Sequence, residues 1–278
     1  MLNQITPLIL TYNEAANIGR TLEQLRWAKE IVVVDSFSSD RTLEIVENFP
    51  QVSVFQRVFD NFASQANFGL TETEINTDWV LSLDADYVLS PELIGELTVL
   101  EPEVEVKGFR APFTYCINGK PLQSGIYPAV TVLFRRTAGK FVADGHAHRI
   151  VLNGPVRDLS SSIFHDDRKP LKRWLQSQLT YARLEAEKLL RSDPQGFSTA
   201  DRIRRWRLLA PLAICLYCLI WRGGFFDGRA GIYYALQRAF AELLLSLYLL
   251  EHDLNGLGEK KNAVPEQNQK PQPVKDPI

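Results

Sequence analysis

At 278 residues, with 45% apolar and 23% charged residues and a net charge of −2, the chain has the composition of an ordinary globular protein. That length suffices for one large α/β domain with additions, and the near-neutral charge lacks the basic excess expected of a nucleic-acid binder. Three cysteines make no disulfide framework. Cys215 and Cys218 form a C-x-x-C, but inside an apolar run without strand or redox context, so packing is their expected role. The N-terminus enters a strand at Ile5 with no basic n-region and no long apolar h-region, which predicts a cytoplasmic rather than a secreted protein.

In chain order, strand and helix patterns alternate up to residue 100. ITPLILTY is an apolar run ending at Asn13 and Glu14, and Ile18, Leu22, Leu25 and Trp27 follow at helical spacing. EIVVVD (30–35) is β-branched and stops at an acid. Asp40 is placed to cap a helix carrying Leu43, Ile45, Val46 and Phe49. VSVF (52–55) predicts a third strand and residues 61–73 a third helix. The run Trp79, Val80, Leu81, Leu83 then reads as a buried strand, and Pro91 opens a fourth helix. Such alternation predicts parallel strands joined by right-handed crossovers.

Asp84 and Asp86 follow the fourth strand, separated by Ala85. Open α/β sheets bind ligands beyond the carboxyl ends of their strands. A hard divalent cation takes carboxylate oxygens while keeping waters and substrate phosphates. The pair therefore reads either as a metal and diphosphate site or as an acidic turn. Asp35 ends the second strand, where dinucleotide-binding folds place a ribose-binding acid. T-Y-N-E-A-A-N, however, stands where those folds carry G-x-G-x-x-G, and no P-loop is present.

TYNEAANI (11–18), VVVDSFSSDRT (32–42), QANFGL (65–70) and LSLDAD (81–86), in this order and spacing, resemble family 2 glycosyltransferases of the GT-A fold. GHAHRI (145–150), IFH (163–165) and WRGGFFDGRAGIYYA (221–235) resemble the branch that includes lipopolysaccharide-core glucosyltransferases. The resemblance covers about residues 5–250. It implies a Rossmann-like mixed sheet flanked by helices, with a UDP-sugar across its first half and Mg²⁺ or Mn²⁺ holding the diphosphate. Carried onto this sequence, Thr11, Asn13 and Glu14 contact the nucleotide, Asp35 the uracil or ribose, and Asp84 the ribose or sugar. Asp86 becomes the principal metal ligand, and His165 a further one. Asp144 lies in the stretch where the family places its base, with Asp158 in reserve. Two positions depart from the pattern: Asp35-Ser36-Phe37-Ser38 lacks the usual glycine, and His148-Arg149 replaces a frequent His-Glu pair.

The implied organisation is a catalytic domain over 1–168, a helical extension over 169–255 and a polar tail over 256–278. The catalytic domain divides into a nucleotide-sugar half (1–100) and an acceptor half (101–168). Strand-like runs in the acceptor half are separated by turn signals at Asn118-Gly119, Ala138-Gly139 and Asn153-Gly154. Arg110, Arg135 and Arg136 there are candidates for an anionic acceptor or pyrophosphate, against a solvated strand face.

In the extension, Leu171, Leu175, Leu179, Ala182, Ala186 and Leu189 mark one helical stripe. Leu208 to Trp221 carries no charge and is too short to span a bilayer, which takes about 20 residues. Six arginines lie between residues 200 and 229, at Arg202, Arg204, Arg205, Arg207, Arg222 and Arg229. Together with Trp206 and Trp221 they suit a helix lying in an anionic membrane interface, against a buried hairpin. The tail is proline-rich and polar, the composition of a disordered segment. The function expected is inverting transfer of a hexose from a UDP-sugar to a hydroxyl of a lipid-linked or cell-envelope saccharide, on the inner face of the cytoplasmic membrane. Transfer to polyprenyl phosphate and a non-catalytic envelope-binding module stay open as alternatives.

Overall fold

A computed structural model of the chain describes residues 1–144, 147–193, 199–207 and 209–262, with the side chains of 144, 147, 148, 200 and 256–262 outside that description. The first half alternates as its sequence predicts: β1 (Ile5–Thr11), α1 (Ile18–Glu23), β2 (Ile31–Asp35), α2 (Thr42–Val46), β3 (Val52–Gln56), α3 (Phe62–Thr71), β4 (Trp79–Asp84), β5 (Tyr87–Leu89) and α4 (Pro91–Val99). β1 and β2 are buried at nearly every position because helices cover both faces of the parallel sheet. The first helix is shorter than its periodicity predicts, ending at Glu23. Arg41 rather than Asp40 stands at the N-cap of the second helix, and Asp40, one place earlier, accepts from the Thr42 N–H. Ser90 caps α4 by accepting from the Leu93 N–H.

The second half adds β6 (Gly108–Ala111), β7 (Phe113–Ile117), β8 (Lys120–Pro121), β9 (Val130–Arg135), β10 (Gly139–Asp144), β11 (Ala147–Leu152), β12 (Val156–Asp158) and β13 (Ile163–His165). The main sheet has seven strands in the order β12-β6-β9-β4-β1-β2-β3. β3, β2, β1 and β4 are parallel and β9 runs antiparallel to β4, so the sheet is mixed, as the GT-A resemblance implies. GFRAPFTYCI, one run in the sequence, breaks at Pro112. Its first half joins the main sheet and its second joins a four-stranded sheet ordered β5-β13-β7-β8. Asn118 and Gly119 both take positive φ, the backbone of a tight two-residue hairpin.

The QANFGL stretch locks these pieces together. The Gln65 amide donates to the Ser36 hydroxyl and the Arg57 carbonyl, joining the loops after β2 and β3. Asn67 both donates to the Phe141 carbonyl and accepts its N–H, clamping the β10–β11 hairpin to α3. A Cβ on Gly69 would lie 2.6 Å from the Leu8 side chain, so glycine lets α3 approach β1.

Among the described residues four helices follow: α5 (Leu171–Arg191), α6 (Thr199–Arg204), α7 (Ala210–Leu216), continued by a π-helical turn at Tyr217–Trp221, and α8 (Arg229–Asn262). α8 thus extends past residue 255, and residues 263–278 of the tail lie outside the described residues. The WRGGFFDGRAGIYYA stretch is the joint of this helical unit. A Cβ on Gly231 would meet the Gly224 carbonyl at 2.1 Å, so the start of α8 and the loop before it pass closely there. Asp227 accepts from the N–H groups of Gln123 and Ser124 and from the Ser124 hydroxyl, docking the joint on the loop after β8. Cys218 is buried beside Tyr234 and Leu122, in a packing role.

The stripe on α5 is only half a core face. Ala182, Ala186 and Leu189 pack on Leu245 and Leu249, while Leu171 and Leu179 are exposed. The α7–α8 hairpin buries one side and leaves Leu212, Leu216 and Ile220 on one helix and Leu236 and Leu243 on the other in solvent. Trp221 is 81% and Phe226 91% exposed. Two of the six arginines turn inward: Arg204 pairs with Glu185 and Glu242, and Arg207 with Asp253. No helix among the described residues is long and apolar enough to cross a membrane.

Candidate active site

Parallel pairing places the carboxyl ends of β1, β2 and β4 along one sheet edge, with Thr11 opposite Asp35 and Leu10 opposite Asp84. Asp84 closes β4, and the chain turns through Ala85 and Asp86 into the second sheet. The Thr21 hydroxyl donates to the Ala85 carbonyl at 2.7 Å, which fixes this turn against α1. β13 lies between β5 and β7, with His165 opposite both Tyr87 and Tyr115. This pairing brings His165 Nε2 to 3.2 Å from Asp86 Oδ2. Asp84, Asp86 and His165 line one cavity of about 620 Å³.

Burial resists ionisation of Asp86, but the His165 and Lys169 charges hold its carboxyl below the ordinary range. His165 is raised in turn: burial opposes its charge and Asp86 more than offsets that. The rings of Tyr87, Tyr115 and Tyr127 surround the imidazole with centroids 5.3, 4.8 and 4.8 Å away. His165 Nδ1 is buried without a partner. Among the described residues no three His, Cys, Asp or Glu side chains form a metal cage. Asp86 and His165 side by side nonetheless fit Mg²⁺ or Mn²⁺, because such an ion is held by one or two protein groups plus waters and substrate phosphates.

The remaining predicted residues divide into those the fold brings to this edge and those it does not. Asn13 has φ 57° and ties two loops, its side-chain carbonyl accepting from the Ser39 N–H at 2.8 Å and its own N–H donating to Ser38. Asp35 is 0% exposed. Its carboxylate accepts from the hydroxyls of Thr11 and Ser38, from the Ser38 N–H and from the Gln56 amide. As placed, Asp35 and Thr11 organise the loop rather than face the cavity. Phe37, in the loop after β2, takes the left-handed backbone, φ 58°.

Asp144 ends β10 in the hairpin that contributes Phe141, Arg149 and Ile150 to the cavity wall, and its side chain lies outside the described residues. Asp158 is away from the cavity, on an edge strand, forked onto Arg110 at 2.7 and 2.9 Å. Arg135 stacks over Trp79 and Arg136 packs beside β4, so none of these three arginines lines the cavity.

Sequence reasoning missed the network that holds the first loop in place. Lys169 Nζ donates to Glu14 Oε1 at 2.7 Å and lies 3.9 Å from Asp167. The Asn17 amide bridges Glu14 and Asp167, and Arg20 pairs with Asp166 at 2.6 Å. Burial pushes the Glu14 carboxyl up to about 7, Lys169 pulls the other way, and Asp86 adds to the rise. Burial alone would lower the Lys169 ammonium, but Glu14, Asp167 and Asp86 hold it above its ordinary value. Lys169 and Asp167 line the cavity beside Asp86. The one local signal was the charge run DDRK immediately after IFH.

Residues 8–99 match the model of glycosyl transferase family 2. An uncharacterised glycosyltransferase of Rickettsia bellii is 38% identical over 95 residues, 34% of this chain and 31% of the relative. The match thus spans about a third of the length of that relative. The lipopolysaccharide core biosynthesis glycosyltransferase LpsC of Rhizobium meliloti is 26% identical over 254 residues, covering 84% of this chain and 90% of LpsC. Among solved structures, TarS of S. aureus in complex with UDP-GlcNAc aligns at 16% identity and a TM-score of 0.48, over 91% of this chain and 92% of that one. Residues 8–99, which supply β1 to β4 of the mixed sheet and carry Asp84 and Asp86 at the end of β4, are thus similar to glycosyl transferase family 2.

Proposed function

We propose that the protein transfers a hexose from a UDP-sugar to a hydroxyl of a lipid-linked or cell-envelope saccharide, with inversion at the anomeric carbon. The observation that carries this reading is Asp84-Ala85-Asp86 at the end of β4, with His165 at 3.2 Å and an open cavity in front. The likeness to LpsC over most of both chains supports the acceptor class. Asp86 and His165 would hold the divalent ion, which neutralises charge on the departing diphosphate. The acceptor hydroxyl attacks the anomeric carbon as UDP leaves, and its proton passes to a carboxylate, which we assign to Asp144. Lys169 supplies a second fixed cation at the same edge.

The purified protein, incubated with UDP-, GDP- and ADP-sugars in Mn²⁺, will slowly hydrolyse a UDP-sugar in preference to the others. No turnover of any UDP-sugar would sink the reading. In a transfer assay Asp144→Asn will reduce the rate by about two to four orders of magnitude while UDP affinity stays at the parent value. Parent-like transfer would remove Asp144 from the chemistry.

The exposed apolar surface of α7 and α8 supports a place on the membrane surface. Arg202, Arg205 and Arg229 are exposed near it, and each basic residue adds about 1 kcal/mol near anionic lipid. The full chain will sediment with vesicles containing anionic phosphatidylglycerol at low salt and be released in part at high salt. Trp221→Ser with Phe226→Ser will weaken sedimentation by removing apolar burial. A protein that stays in the supernatant at low salt would leave the face to another partner.

A further inference from the structure

The cavity does not end at the aspartates. It continues between α5 and α8, where Ala182 and Leu245 close its floor. On this floor sits a polar cluster that sugar transfer at Asp86 does not use. Glu242 is 7% exposed, and its Oε1 takes Arg204 Nε at 3.2 Å and lies 3.9 Å from Arg238. Its other oxygen, Oε2, is buried and has no partner. Arg238 Nε is buried and likewise without one. Native interiors seldom leave such atoms unmatched, and here an unmatched acceptor and an unmatched donor belong to neighbouring side chains on a cavity wall.

We propose that this inner end is a subsite for a second sugar ring of the acceptor, beyond the ring that is attacked; the proposal rests on the transfer reading above. A hydroxyl group both donates and accepts, so a ring with vicinal hydroxyls satisfies Glu242 Oε2 and Arg238 Nε together. The charges argue against an anion. Glu185, Glu242 and Asp201 balance Arg204, Arg238 and Lys188, the last 3.9 Å from Glu185. A phosphate or carboxylate entering here would meet no net positive charge, whereas a neutral polyol needs none. The wall also carries what a sugar ring binds on its apolar face: Trp174, held against Phe240 with ring centroids 6.0 Å apart. Gln178 and Gln237, one from each helix, add amide groups to the same wall. A cavity of about 620 Å³ lies within the range of small-molecule sites, about 300–1,000 Å³. The substrate class that follows is an acceptor of at least two sugars whose second ring is uncharged.

Binding is read without donor, by saturation-transfer NMR on the full chain. The probes are methyl glucoside, methyl galactoside and methyl mannoside, neutral disaccharides of the same sugars, and their phosphorylated forms. At least one neutral disaccharide will bind about tenfold or more tightly than its component methyl glycosides, and phosphorylation of its second ring will weaken it. Glu242→Gln replaces the unmatched acceptor and will reduce that preference about tenfold. Trp174→Ala leaves the ion pairs intact and will reduce it by a similar factor, which keeps the test sound should Glu242→Gln fold poorly. Disaccharides that bind no better than monosaccharides, a tighter phosphorylated form, or a Trp174→Ala protein with the parent preference would each overturn the subsite. UDP-sugar hydrolysis by the parent is measured on the same preparation. Hydrolysis without disaccharide preference removes the subsite alone, and disaccharide preference without hydrolysis removes the transfer reading alone.

Discussion

Asp86→Ala will fold and will not transfer sugar. The side chain sits at the one point where the parallel edge of the main sheet meets β13 of the second sheet, so its carboxylate faces His165 and the cavity together. Under the function proposed above, removing it would strip the leaving diphosphate of a ligand for its counter-ion, and charge stabilisation of that kind is worth several kcal/mol. We expect a fall of about three orders of magnitude or more in turnover. The fold survives for two reasons. The Asp86 backbone carbonyl, which accepts from the Asp166 N–H at 3.0 Å, is untouched. Without its partner His165 stays folded as the neutral imidazole, since burial already disfavours its charge. Circular dichroism unchanged from the parent, with transfer lost even in saturating Mn²⁺, is the expected result. Turnover near the parent rate would remove the metal assignment from Asp86 altogether.

Lys169→Met will destabilise the protein by about 3 kcal/mol, a cost typical of removing one partner from a buried ion pair. The lysine side chain is 19% exposed and that of Glu14 13%, so water screens little of the loss. Three carboxylates, Glu14, Asp86 and Asp167, share this cation, and methionine keeps its bulk without its charge. The deficit should depend on pH with a definite sign. Glu14 in the parent is already pushed up to about 7, and without the ammonium it rises further. A carboxyl whose folded pKa lies above its unfolded value, about 4.3, gains folded-state stability as it takes a proton. The variant will therefore lie furthest below the parent near pH 8 and approach it as pH falls toward about 5. Urea midpoints across that window give the measurement. A deficit that grows toward acid would show that Glu14 stays ionised and that the lysine acts elsewhere.

Much of the first half was legible from local sequence. β1, β2 and β4 are short apolar runs that can only be satisfied in a sheet covered on both faces, and each ends at a polar residue where the chain must leave it. Asp84 and Asp86 were legible for the same reason, because a strand end in a parallel sheet is a fixed place. The roles of neighbouring residues were not. Asp35 has the sequence position of a nucleotide contact, yet Ser38 and Thr11 occupy its oxygens, and only the folded loop reveals which partners are within reach.

What the sequence by itself determined is the order of strands and helices, the acidic turn after β4 and the family that those motifs resemble. Periodicity and turn chemistry act over a few residues, so they survive without knowledge of partners. Tertiary structure alone decided the rest. His165 reaches Asp86 because β13 inserts between β5 and β7, a pairing that no local pattern encodes. Lys169 meets Glu14 across 155 residues of chain for the same reason. On α5 the leucine stripe pointed to one buried face, but the helix buries only its last two turns, and residues off the stripe, Trp174 and Gln178 among them, line the cavity. Amphipathicity says that a helix has an apolar side. Which side is covered depends on what lies opposite, and on α5 that is decided by α8, whose own apolar outer face is left without a partner.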